Sequence, residues 1–225
     1  MSKISAVIID GDGTTFNSLG IWMGAFAHLC TAHGKKFAAT SIYDTGGSHL
    51  ATNHAKALNR VIGLGVTDDE IAAELHDYVF DKFSHEVKAF EGIRAFMETL
   101  RDEGIPFVLA TGTFKDCAFA GLVANGLDDL IPEERVFSCQ SVEAGKERPD
   151  VYLAAMEYLG TPYESTWVIE DEPWPLETAR ELGMRTCNIW RACNGRPWEE
   201  TIELADVQVR GLEGDPLGAM KAFEG

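Results

Sequence analysis

A doubly wound parallel α/β sheet with an inserted helical segment is the fold class this sequence predicts, and three observations predict it. Short, continuously apolar runs alternate with helical patterns. The runs are bounded by Gly, Pro or acidic residues, as strands buried on both faces are. One long interval breaks the alternation and shows helical patterns only.

The strand runs are Ile4–Ile9, Pro106–Ala110, Arg135–Cys139, Thr166–Ile169, Arg185–Trp190 and Ala205–Val209. Between them, Ile93, Phe96, Met97 and Leu100 recur at helical spacing and stop at Gly104. Val151, Ala155, Met156 and Leu159 stop at Gly160, and Leu176, Ala179 and Leu182 stop at Gly183. A glycine just past the last periodic residue is a C-cap signal, because it takes the left-handed conformation without a Cβ penalty. Residues 18–89 form the interval without strands, and 1–17 with 90–225 form the sheet domain. Within the interval Leu19, Trp22, Met23, Phe26 and Cys30 make one stripe, which predicts packing inside the insert. A second helix covers His49–Ile62. Thr67 and Glu70 form a capping box that opens a third, with Ile71, Leu75 and Tyr78 on its inner face.

Composition excludes several classes of function. With 19 Lys+Arg against 36 Asp+Glu, the formal net charge is −17. Clustered cations are what nucleic acids and anionic lipids require, so neither is an expected partner. No apolar run is long enough to span a bilayer, and the start predicts no signal peptide. The five cysteines form no C-x-x-C pair, which predicts reduced, mostly buried thiols and a cytoplasmic protein.

In open α/β sheets ligands bind beyond the carboxyl ends of the strands. The first run is followed by Asp10-Gly11-Asp12-Gly13-Thr14, the second by Thr111-Gly112-Thr113, and the fourth ends in Glu170-Asp171-Glu172. The loop after the third holds Gly145-Lys146-Glu147-Arg148-Pro149. Carboxylates gathered at one edge repel one another unless a cation lies among them, and oxygen ligands suit Mg²⁺. The Thr111 hydroxyl, the backbone N–H groups of Gly112 and Thr113, and Lys146 are donors for an anionic oxygen. Together these groups describe a phosphoryl site, in which a carboxylate can attack phosphorus and Asp12 can move the proton.

Other motifs fail on their own terms. Phe16 stands at the third glycine of a dinucleotide fingerprint. His28/His33 and His49/His54 are five residues apart, whereas zinc ligands on one helical face are three or four apart. His49, in Gly46-Gly47-Ser48-His49, is placed to reach a ligand from the insert.

On these residues the chain resembles the haloacid dehalogenase-like hydrolases. Asp10-Gly11-Asp12-Gly13-Thr14 is similar to the family's first motif, Thr111 to the second, Lys146 before Pro149-Asp150 to the third, and Glu170-Asp171 to the fourth. The resemblance implies a Rossmann-like core under a helical cap, with Asp10 as nucleophile and Asp12 as general acid/base. It implies Thr111, Gly112 and Lys146 at the phosphoryl group. Mg²⁺ would be held by Asp10, the Asp12 carbonyl and Asp171, with Glu170 ligating directly or through water. The implied activity is a phosphatase acting on a small phosphorylated metabolite. A phosphomutase of the β-phosphoglucomutase type and a non-catalytic phospho-ligand binder are its rivals. The chain departs from the family pattern at Gly11, Thr15, Asn17-Ser18 and Glu172-Pro173-Trp174-Pro175.

Overall fold

A computed structural model of the chain describes residues 4–38, 49–194, 197–198 and 205–223. Six parallel strands, β1 (Ala6–Asp10), β2 (Phe107–Thr111), β3 (Val136–Ser138), β4 (Thr166–Glu170), β5 (Arg185–Trp190) and β6 (Val207–Arg210), form one sheet in the order β3-β2-β1-β4-β5-β6. The chain runs outward from β1 to β3, then returns to β4 on the other side of β1. The strand order therefore reverses at β1, and a crevice opens there above the carboxyl ends.

Strand alternation sorts the core onto two faces. Val7, Ile9, Phe107, Leu109, Trp167 and Ile169 pack with α4 (Ile93–Asp102), α5 (Lys115–Ala124) and α8 (Pro216–Ala222). Ile8, Val108, Ala110 and Val168 face α6 (Asp150–Leu159) and α7 (Pro173–Glu181). The C-cap glycines behave as their positions predict: Gly104, Gly160 and Gly183 all have positive φ.

Between β1 and α4 lie three helices, α1 (Leu19–Ala32), α2 (Ala51–Ile62) and α3 (Asp68–His85). The capping box is present: the Thr67 hydroxyl accepts from Glu70 N–H at 3.2 Å, and Thr67 N–H donates to the Glu70 carboxylate at 2.8 Å. Phe83 of α3 meets Phe16 edge-on at 5.6 Å, so the core of these helices runs on into one face of the sheet. Among the described residues no helix is long and apolar enough to cross a membrane. Cys30, Cys117, Cys139 and Cys187 are buried free thiols, as their spacing predicts.

Sequence pattern missed α5. Its residues Lys-Asp-Cys-Ala-Phe-Ala-Gly-Leu-Val-Ala are apolar almost all round, because the helix lies between α3 and the sheet. A Cβ at Gly121 would stand 2.9 Å from the Phe83 ring and 3.3 Å from Phe16, so this close approach requires glycine.

The same α3–α5 contact carries a pH-sensitive pair. His76 Nε2 lies 2.8 Å from Asp116 Oδ2. Burial disfavours the imidazolium, but the hydrogen bonds and charges of Asp116 and Asp77 outweigh it and raise His76 above its ordinary 6.5. A raised folded-state value stabilises fully below the unfolded value, and the gain is lost as pH rises through the folded one. The thermal midpoint is therefore expected to decline from roughly pH 6 to 8, and His76→Gln to flatten that decline. An unchanged pH profile in the variant would show that the pair contributes nothing.

Candidate active site

The sheet register gathers the motif residues. Asp10 is level with Ala110, so Thr111 projects one residue further. Glu170 follows the Ile9–Ile169 pair and brings Asp171 beside Asp10. After β1 the chain turns tightly: Thr15 and Phe16 N–H both donate to the Gly11 carbonyl, and the Thr15 hydroxyl donates to the Asp10 carbonyl at 2.6 Å. Gly13 has φ +87°, and a Cβ there would collide with the Asp171 carboxylate. The Gly11 departure has a reason too, since a Cβ would press on the Thr111 side chain, 2.9 Å from its Cβ.

Lys146, from the loop before α6, is buried and donates to Asp10 Oδ1 and to Glu170 Oε1, the latter at 2.5 Å. Glu170 Oε2 accepts from Asp171 N–H at 3.1 Å. Burial and then the Glu170 charge push the Asp10 carboxyl well above the usual range, and burial and then Asp10 do the same to Asp171. Burial disfavours the ammonium of Lys146, but Asp10 and Glu170 outweigh it and hold its pKa high. Asp10 Oδ2 is buried without a hydrogen-bond partner.

Ligand atoms of Asp10, Glu170 and Asp171 lie within 4.8 Å of one another. Three buried carboxylates, one with an orphaned oxygen, form an all-oxygen donor set that fits a hard divalent cation such as Mg²⁺. The Asp12 side chain is committed elsewhere. Its Oδ1 accepts from Ser18 at 2.5 Å and Trp22 Nε1 at 2.8 Å; its Oδ2 accepts from Thr113 at 2.6 Å and Thr111 at 3.3 Å.

Asp10, Asp12, Gly112, Lys146, Glu170 and Asp171 line one cavity of about 460 Å³. Thr111 is buried behind this wall, its hydroxyl accepting from Thr113 N–H at 3.1 Å. The stripe does two things: Phe26 and Cys30 are buried in the core with Trp22 packed against it, as its spacing predicts, while Leu19, Trp22, Met23 and Phe26 also line the cavity, with Leu19 38% and Met23 41% exposed. Helical spacing identifies an apolar face but not what covers it. His49 lies on the wall, its ring stacked on Trp174 at 4.1 Å and 11°; Gly46–Ser48 lie outside the described residues. Thr52 donates to Gln140 Oε1 at 3.1 Å, and Gln140 Nε2 donates to the Gly112 carbonyl at 3.1 Å, so the start of α2 is tied to the loops of the sheet. A larger hollow of about 940 Å³, between α4 and α8, contains none of the motif residues.

Sequence reasoning missed Trp22, Ser18 and Thr113 as partners of Asp12. Ser18 and Trp22 are four apart at the start of α1, a spacing that places both on one helical face and was a usable signal. It also missed Arg191, whose Nη1 donates to the Gly13 carbonyl at 2.9 Å while the guanidinium lies 3.8 Å from the Phe90 ring centroid. No local pattern marks that residue.

Comparison with known proteins gives the family and the fold. A family model described as haloacid dehalogenase-like hydrolase matches residues 7–189. Protein CbbY of Rhodobacter capsulatus is 28% identical over 196 residues, 81% of this chain and 84% of that protein. Pyrophosphatase PpaX of Halalkalibacterium halodurans is 24% identical over 199 residues, 87% of this chain and 88% of that one. The crystal structure of CbbY from Rhodobacter sphaeroides in complex with phosphate superimposes with a TM-score of 0.82 at 18% identity, covering 97% of this chain and 99% of that chain.

Proposed function

The chain belongs to the haloacid dehalogenase-like hydrolases, and from that premise we propose that it is a Mg²⁺-dependent phosphatase of a small phosphorylated metabolite. The observation that carries this reading is Asp10 Oδ2, a buried carboxylate oxygen without a partner at the floor of a cavity. Its sister oxygen is held by Lys146, which orients the carboxylate. In this reading Oδ2 attacks phosphorus and forms an aspartyl-phosphate while the bond to the leaving oxygen breaks. Asp12 gives its proton to that oxygen, then takes one from the water that hydrolyses the intermediate. Ser18, Trp22 and Thr113 keep its carboxylate aimed at the cavity. Lys146 and the Gly112 backbone hold the phosphoryl group, whereas Thr111, expected there from the sequence, lies behind the wall and donates its hydroxyl to Asp12 instead.

Asp10, Glu170, Asp171 and the Asp12 carbonyl would hold Mg²⁺, which when bound neutralises phosphoryl oxygen charge. Residues 18–89 act as a cap over a core of 1–17 and 90–225, and the buried free thiols suit work in the cytoplasm.

A panel of phosphomonoesters with Mg²⁺ or EDTA tests the proposal. Inorganic phosphate is expected to appear with Mg²⁺ and to stop with EDTA. Isomerisation without phosphate release would replace the phosphatase by a mutase, and no reaction with any ester would overturn both.

A further inference from the structure

We infer that the alcohol half of the substrate is an uncharged group with a flat, apolar face, rather than a sugar or a second phosphate. The inference rests on the phosphatase reading above and narrows its substrate class. The cavity beyond Asp10 and Asp12 is walled by Leu19, Trp22, Met23 and Phe26 on one side and Trp174 and Pro175 on the other. Trp22 and Phe26 are tilted against each other at 6.3 Å, Phe26 reaches His54 at 6.1 Å, and His49 lies flat on Trp174, so rings run around the wall. Leu19 and Met23 belong to the few large apolar side chains left exposed, and here they face a cavity a ligand can fill.

The polar inventory points the same way. Among the described residues lining this cavity, the polar side chains besides the motif residues are His49, His54 and Glu172, with no Ser, Thr, Asn, Gln, Tyr or Arg. The indole N–H of Trp22 is already given to Asp12. Several sugar hydroxyls would lose water here and find few partners, which is costly for each stranded group. Among the described residues Lys146 is the one Lys or Arg on the lining, and it is held by Asp10 and Glu170. A second phosphate would find no cation of its own and would meet Glu172 on the wall. A planar apolar group is accommodated by the same surface, through ring contacts and released water.

The test uses the full chain with Mg²⁺ and compares kcat/KM for 2-naphthylmethyl phosphate, glucose 6-phosphate, fructose 1,6-bisphosphate and pyrophosphate. The first two are esters of primary alcohols, so leaving-group basicity does not separate them. The naphthylmethyl ester is expected to lead glucose 6-phosphate by about tenfold or more, and the two doubly phosphorylated compounds to be slower still. Trp174→Ala is expected to raise KM for the naphthylmethyl ester by a larger factor than for glucose 6-phosphate, with Trp174→Phe restoring the difference. If Trp174→Ala does not fold, 2-naphthylmethanol is expected to compete with the ester on the wild type, and absence of competition overturns the inference. A wild-type preference for any other compound, or equal loss on both esters in Trp174→Ala, overturns it while the phosphatase reading stands. No hydrolysis of any of the four overturns that reading, and the inference with it.

Discussion

Replacing Asp10 with asparagine is expected to lower kcat by about four orders of magnitude or more, since an amide cannot serve as the nucleophile. Stability should move the other way. The Asp10 carboxylate is buried beside Glu170 and Asp171, and their repulsion raises the free energy of the folded protein. Asparagine keeps the shape, removes that repulsion, and leaves Lys146 paired with Glu170. The thermal midpoint of Asp10→Asn in metal-free buffer should therefore equal or exceed that of the wild type. Phosphate-release assays and a circular-dichroism melt on one preparation check both halves. An active Asn variant removes Asp10 from the chemistry, whereas an inactive but clearly destabilised one makes it a structural ion-pair partner.

The opposite substitution, Lys146→Met, is expected to cost stability as well as activity. Its ammonium lies between two buried carboxylates, with side chains 4% exposed for Lys146, 5% for Asp10 and 2% for Glu170. Removing one partner of a buried ion pair typically costs about 3–5 kcal/mol, because the remaining charges stay in a poorly solvating place. For a chain of this size that is a fall of roughly 10 °C in Tm. The double variant Lys146→Met with Glu170→Gln removes one of the stranded charges and is expected to recover part of the loss. Additive losses in this double-mutant cycle would show that Lys146 and Glu170 are not coupled.

The sequence also made the surroundings of these charges partly legible. Four acids of a strongly acidic chain, Asp10, Asp12, Glu170 and Asp171, could be assigned to one edge because Asp10 and Glu170 directly follow apolar runs and Asp12 and Asp171 come within two residues of those two acids. Ser18 and Trp22 were within reach of the same reasoning, being one turn apart at the start of α1. Helix α5 was not, because its exposed positions include apolar Val123 and Ala124, so no polar face gives it a period.

What the sequence determined by itself is the parallel sheet, the helical insert and the edge at which the chemistry gathers. Parallel strands of one sheet all point their carboxyl ends the same way, so a residue's place at the end of its run is enough to place it on that edge. What only the tertiary structure decided is which side chains face one another across the crevice. Trp22 against Asp12, His49 against Trp174 and Arg191 against Gly13 join distant parts of the chain. Such contacts depend on how whole helices and loops pack, and helix spacing reports an apolar face without its occupant. The stripe from Leu19 to Phe26 shows the difference: the sequence marked it as apolar, and folding set Phe26 into the core while Leu19 and Met23 line the cavity.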